Sequence, residues 1–348
     1  MQDKTHNQRI SIAKGVGILL MVIGHSGCPE YLHSVIYSFH MVLFYFLSGF
    51  FFRDGKVICD GRKYLMRKFR RLYWPYIKWS IIFILLHNFF YEIGFNETLL
   101  SDHEIWINVK RSFRGMWQGE RFLGAYWFLI SLFWVIIIFS FIIWLSNCLK
   151  IKKFVPIIVL TLFCVGVAFI ESKIDIWLKR ELMVLPFFYM GYLVGNGHFA
   201  SLFYCKYHNI IAYLVCFPIL LFVSVFVQLG VAVNNYGPYY IYLVTSLCGI
   251  YLTMIISHQL EGTRIGLLFD RWGEKTMQIM TLHFFAFKIM TFVLVWILCL
   301  PHTFIQEWPV PIEMNYLWFL YTIAGIFIPI YLFMLFYQLK RVLLSSIK

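Results

Sequence analysis

The stretch SIAKGVGILLMVIGHSGC, Ser11 to Cys28, decides how the rest of the chain is read. It is apolar except for a lysine near one end and a histidine near the other. As an α-helix of about 3.6 residues per turn, the step from Lys14 to His25 closes on roughly three turns and leaves the two side chains about 20° apart, on one face. The same step rises roughly 16 Å, about half of a hydrocarbon core, so one end sits at a membrane surface while the other lies well inside. A cation at the edge and a titratable imidazole within suggest chemistry on a substrate that reaches in from the aqueous side.

The rest of the composition supports a membrane setting. Of 348 residues, 61% are hydrophobic and 20% aromatic, and the mean hydropathy of +0.73 lies outside the range of soluble domains. Segments such as IIFILLHNFF and WVIIIFSFIIWL do not alternate apolar and polar residues, which argues against a β-barrel. The fold expected is therefore all-α and polytopic, with spans near 10–28, 35–52, 72–92, 123–148, 154–171, 181–196, 209–229, 238–258, 276–300 and 315–338. Outside those spans the amino tail, the even-numbered turns and the carboxyl tail carry twenty Lys and Arg, against seven on the other side, which predicts cytoplasmic termini. The net charge of +13 is thus mainly a topology signal. No nucleic-acid-binding motif accompanies it. The eight cysteines are scattered singly without a C-x-x-C pair, and read as small apolar residues, not as a metal site or disulfide framework. No small-residue cleavage site follows the first apolar stretch, so it reads as a retained span in a single domain, 1–348.

Taken in order, Gly24, Ser48 and Gly49 are small residues of the kind that let membrane helices approach, and Ser48 reads as packing before it reads as a nucleophile. The segment after the second span is the most basic: Arg53, Lys56, Arg62, Lys63, Arg67, Lys68, Arg70 and Arg71 lead into LYWPYIKW. Attraction to anionic lipid explains such a run; so does a phosphate clamp, densest at Arg67, Lys68, Arg70 and Arg71 if a helix begins before Lys68. Residues 93–122 are too few for an independent enzyme domain, so chemistry belongs in or at the membrane. Tyr126, Trp127 and Phe128 open the fourth span as a lipid-facing aromatic belt, with Trp127 also a candidate on the substrate side. Glu171, Asp175 and Glu181 read as solvated charges at an outer turn, and His87 and His258 as interface positions. In the ninth span, His283 and Lys288 sit inside an apolar run, where ionisable groups usually face a cavity or a partner. A proton-coupled transporter or exporter of a sugar-like solute using that pair is the competing expectation, weakened by the lack of repeat halves.

Several motifs together resemble the acyltransferase-3 family of membrane O-acyltransferases. They are K-G-x-x-I-L-L-x-V-I-G-H-S at 14–26, S-F-H-M-x-L-F-x-F-L-S-G-F at 38–50, R-L-Y-W-P-Y at 71–76, A-Y-W-F-L at 125–129, L-P-F-F-Y-M-G-Y at 185–192 and W-G-E-K-T-M-Q-I-M-T-L-H at 272–283. The resemblance implies ten helices with cytoplasmic termini in a bacterial inner membrane. It also implies transfer of an acyl group, usually acetyl, from cytoplasmic acyl-CoA to a sugar hydroxyl of a cell-surface glycan or its lipid-linked precursor. The family's basic residue and histidine in the first helix fall on Lys14 and His25. Its R-x-x-R motif falls on Lys68 and Arg71, or one position earlier on Arg67 and Arg70, and Ser11 and Val42 stand where many relatives carry aspartate and proline. On this reading His25 is the general base, with a covalent acyl-imidazole on His25 as the alternative, and Lys14, Arg67, Lys68, Arg70 and Arg71 hold the donor, acetyl-CoA. His40 orients His25 or the acceptor, and His283, Lys288 and Trp127 line the acceptor side. No metal is expected; partners are acyl-CoA, the glycan or lipid-linked sugar and membrane lipid, with homo-oligomer formation open.

Overall fold

Long apolar runs can satisfy their backbone hydrogen bonds away from water by winding into helices. The structure, a computed structural model, describes residues 7–114, 120–174, 176–198, 209–210 and 212–345, and no strand occurs among them. Helix α1 (Gln8–His25) starts at Asn7, whose side chain caps it by accepting from the Ile10 amide. Next, α2 (Glu30–Tyr37) and α3 (His40–Phe50) form one bent rod, turned at Phe39, whose φ of −149° is not helical. Then α4 (Asp54–Lys68) passes through a π-helical turn, Phe69–Tyr73, into α5 (Trp74–Glu92). Helices α6 (Asp102–Arg114), α7 (Trp127–Cys148), α8 (Val155–Glu171) and α9 (Lys179–Gly195) follow. A second π-helical turn leads into α10 (Phe217–Phe226), and α11 (Tyr239–Leu260), α12 (Arg264–Glu274), α13 (Thr276–Ile297) and α14 (Trp318–Ser345) complete the chain.

Among the described residues six helices are long and apolar enough to cross a membrane: Glu30–Phe50, Trp127–Cys148, Lys152–Glu171, Tyr239–Leu260, Thr276–Ile297 and Ile312–Leu343. The other expected stretches, 10–28, 72–92, 181–196 and 209–229, fall mainly on α1, α5, α9 and α10, which are shorter or carry more polar residues.

Between membrane helices lipid supplies no hydrophobic drive, so close packing does, and small residues permit it. A Cβ added at Gly15 would lie 2.0 Å from the Phe269 carbonyl oxygen, and one at Gly273 would lie 1.9 Å from that of Ser11, so α1 and α12 touch backbone to backbone. Ser11 donates its hydroxyl to the Asp270 carbonyl at 3.1 Å across the same seam. Gly49 against Phe188 and Gly191 against Phe46 join α3 to α9 in the same way. Gly24 and Gly49 therefore do what their size predicts, whereas Ser48 faces a cavity and gives its hydroxyl to the Phe44 carbonyl.

Three expectations about polar and aromatic residues are overturned by packing, while His258 keeps its place at the end of a span and gains a partner. Tyr126, Trp127 and Phe128 are buried, not lipid-facing, and the Tyr126 hydroxyl is bonded to Thr281 on α13 at 2.6 Å. His87 is held by Glu120 at 2.7 Å and by the Thr98 carbonyl at 3.0 Å, so both His87 and Glu120 belong to a buried pair. His258 joins Glu261, which is also bonded to Arg9 at the start of α1. Burial alone would raise the Glu261 carboxyl's pKa, but the bonds from Arg9 and His258 outweigh it and hold the carboxyl below its usual range. Glu181 is fully buried near Tyr45 and Tyr236; Asp175 lies outside the described residues. The seven described cysteines are all free, and Cys205 lies outside them.

Candidate active site

Lys14, Ile18, Met21 and His25 recur at steps of four, three and four residues, the spacing of one helical face, and all four line a single cavity of about 240 Å³. The cavity therefore runs along α1 from the lysine to the histidine. Its other walls come from the bent α2–α3 rod, the start of α7, the loop at Val231 and Ala232, and the first turns of α13. Most of these side chains are apolar, as in small-molecule sites where a few polar groups orient the ligand.

At the Lys14 end the lining includes Ser48 and Leu72, the latter on the π-helical turn. The helix does begin well before Lys68, and Arg70 and Arg71 lie on the π-helical turn at 69–73, a distortion common at functional sites. Lys14 is half-buried with its ammonium 4.6 Å from the centre of the Phe51 ring. Lys68 lies close enough to Arg71, Lys56, Lys14 and Arg67 for their charges to act on it. Burial, with those charges second, pushes its pKa down to about 8. Arg70, exposed on the π-helical turn, is not among the charges acting on Lys68. None of Lys14, Arg67, Lys68, Arg70 and Arg71 has a carboxylate partner among the described residues. Gathered cations without counter-charges attract anions, whether a phosphate-bearing ligand or anionic lipid headgroups.

At the other end His25 Nδ1 is hydrogen-bonded to the Tyr37 hydroxyl at 3.2 Å. The His25 ring lies 4.9 Å from that of Phe284 and 5.5 Å from that of His283, centre to centre. His40 lines the cavity and donates its Nδ1–H to the Ile36 carbonyl at 2.8 Å, which leaves its Nε2 with the lone pair. His283 likewise spends Nδ1–H on the Met280 carbonyl at 3.0 Å, and its buried Nε2 has no partner. Tyr37 sits between these imidazoles: His33 stacks on it at 3.8 Å and the His40 ring is 4.9 Å away. Neither Tyr37 nor His33 was marked by the sequence as functional; a Tyr and a His four apart on an amphipathic turn look like surface until α1 is placed beside them. No group of three or more metal-ligating side chains occurs among the described residues.

Trp127 lines the cavity, and behind it the Arg180 guanidinium lies 4.5 Å from a Trp127 ring centre. Arg180 also donates to the carbonyls of Val231 and Ala232, at 3.1 and 2.6 Å, which fixes that loop as a wall. Lys288 is not brought to the cavity. Its buried ammonium donates to the Ile305 carbonyl at 2.7 Å and to the Glu307 carbonyl, tying the loop before α14 to α13.

Such an arrangement can hold a charged carrier at one end and present an imidazole lone pair to a reacting group at the other. Comparison with curated proteins and with solved structures returns no match. The family model of the acyltransferase domain, Acyl_transf_3, matches residues 7–295, a stretch that contains the cavity, both of its ends and all the residues that line it. The chain belongs to the acyltransferase-3 family and is a membrane acyltransferase.

Proposed function

We propose that the protein is an O-acetyltransferase that takes acetyl from cytoplasmic acetyl-CoA and places it on a hydroxyl of a cell-surface glycan or its lipid-linked precursor. In this reading ten helices span a bacterial inner membrane with both termini in the cytoplasm. The observation that carries it is the single cavity with Lys14 at one end and His25 at the other. Lys14, with Arg67, Lys68, Arg70 and Arg71, holds the phosphates of the donor. The acyl-bearing arm then extends along the face of Ile18 and Met21 towards His25. A cavity of about 240 Å³ is smaller than the roughly 300–1,000 Å³ that encloses a drug-sized ligand, which suits an extended arm whose nucleotide stays outside among the cations.

At the inner end His25 takes the proton of the acceptor hydroxyl as it attacks the thioester, the task for which neutral imidazole is best matched near neutral pH. His40 and Trp127 face the same space and orient the acceptor, with His283 against the far side of His25. The test is transfer of radiolabelled acetyl from acetyl-CoA to glycan by the purified protein in liposomes. His25→Ala should lower turnover by about 10²–10⁴, the usual contribution of a general base. Parental turnover in a folded His25→Ala protein would refute the assignment. Mass spectrometry of surface glycans with and without the protein identifies the group and its recipient.

A further inference from the structure

The contact between His25 Nδ1 and the Tyr37 hydroxyl has two hydrogen-bonding forms, and only one leaves His25 a base towards the cavity. If the phenol donates to Nδ1, the imidazole proton sits on Nε2 and no lone pair remains for the acceptor alcohol. If Nδ1–H donates to the phenol oxygen, Nε2 keeps its lone pair and the phenol's own hydrogen is left over. Among the described residues the Tyr37 hydroxyl has no other hydrogen-bond partner, and Tyr37 lines the cavity. Its hydrogen is therefore available to a bound substrate.

The neighbouring imidazoles, Ser48 and Lys14 are not placed to supply such a donor. His40 and His283 each commit Nδ1–H to backbone carbonyls and, as neutral rings, offer only a lone pair at Nε2. Ser48 gives its hydroxyl to Phe44, and Lys14 is at the opposite end. The phenol is also held in place: His33 stacks on its ring at 3.8 Å, and the backbone of α1 comes so near that a Cβ at Gly24 would lie 2.8 Å from a Tyr37 ring carbon.

We propose that Tyr37 is a second catalytic residue, donating its O–H to the carbonyl oxygen of the thioester while accepting Nδ1–H from His25. This rests on the reading of His25 as the base of acyl transfer. The acceptor hydroxyl loses its proton to His25 Nε2 as its oxygen bonds to the acyl carbon, and the carbonyl π pair moves onto the oxygen that Tyr37 faces. When the C=O re-forms, the C–S bond breaks and the CoA thiolate leaves, taking the proton from His25; the products are the ester and free CoA. Tyr37 keeps its proton throughout, and its bond strengthens as charge grows on the oxygen, which lowers the barrier without tightening substrate binding.

The test uses the full chain in liposomes with acetyl-CoA and the acetylated glycan as readout. Tyr37→Phe should lower kcat by about 10²–10³, the usual cost of one oxyanion donor, and leave KM for acetyl-CoA unchanged. Site-specific 3-fluorotyrosine at position 37 keeps the shape but makes the phenol more acidic. At a pH where both forms are protonated, it should raise kcat above that of the tyrosine protein, a response that a purely structural contact does not give. Parental kcat in Tyr37→Phe, or a kcat indifferent to fluorination, overturns the proposal. His25→Ala assayed alongside separates the two claims. If it is inactive while Tyr37→Phe is fully active, only the role of Tyr37 falls; if it retains parental activity, the base falls as well.

Discussion

Blocking the middle of the passage tests whether the acyl group travels along α1. Met21 faces the cavity seven residues above Lys14 and four below His25, which places it about 10 Å from the first and about 6 Å from the second along the helix axis. Met21→Trp replaces a flexible thioether with a rigid bicyclic ring in a space of about 240 Å³. On the proposed reading the donor's phosphates still reach Lys14 and the cluster around Lys68, but the thioester is stopped more than one turn short of His25. Reacting atoms must come within about 3–3.5 Å, and a displacement of about 1 Å already costs on the order of 10²-fold. A fall in kcat of at least about 10², equivalent to about 2.7 kcal/mol of barrier, is therefore expected. Overpacking also destabilises by about 1–3 kcal/mol, so activity is referred to the folded fraction measured by thermal melting. Met21→Leu, close in volume, should keep its activity. Acetyl transfer in liposomes gives kcat, and calorimetry with CoA should give a Kd near the parental one. A folded Met21→Trp protein that transfers acetyl at the parental rate would refute the route.

Two further outcomes follow from the ends of the cavity and from the loop beside it. Lys68, pushed down to about 8 chiefly by burial and then by Arg71, Lys56, Lys14 and Arg67, is charged below that pH and neutral above it. On the proposed reading its hold on the donor's phosphates weakens as pH rises, so KM for acetyl-CoA should climb between pH 7 and 9. Lys68→Arg, which stays charged, should flatten the climb, and a flat profile in the parent protein would sink the assignment. Lys288→Met leaves the Ile305 and Glu307 carbonyls without their donor, at about 1–3 kcal/mol for each buried unsatisfied group. The melting temperature should fall while kcat of the folded protein stays near parental; lost turnover at unchanged stability would show that Lys288 does more than tether the loop.

The parts of the site legible in the sequence are those that one helix's geometry determines. Lys14 and His25 share a face because they are eleven residues apart on α1, and no distant contact is needed to place them so. The cation cluster was legible because like charges without nearby carboxylates occupy adjacent turns. What could not be read depends on which apolar face meets protein and which meets lipid, since a lipid tail and a leucine are equally apolar. That is why Trp127 looks like a membrane belt yet lines the cavity, and why Glu181 looks solvated yet is buried. Pairs such as His87 with Glu120 and Arg9 with Glu261 bridge separations that no local period encodes. Tyr37 was hidden for a third reason. An unbroken helix over 35–52 would turn residues 37 and 40 by its regular step, but the bend at Phe39 resets the phase. Phe39 can occupy that bend because α11 presents Gly249 to it: a Cβ there would lie 2.0 Å from a Phe39 ring atom. The Ser38 carbonyl at the bend meets the Ser246 hydroxyl of the same helix at 3.4 Å. Two small residues on α11 thus permit the bend that sets Tyr37 beside His25 and His40 along the same wall, so the partner of the candidate base is determined by a helix more than two hundred residues away in the chain.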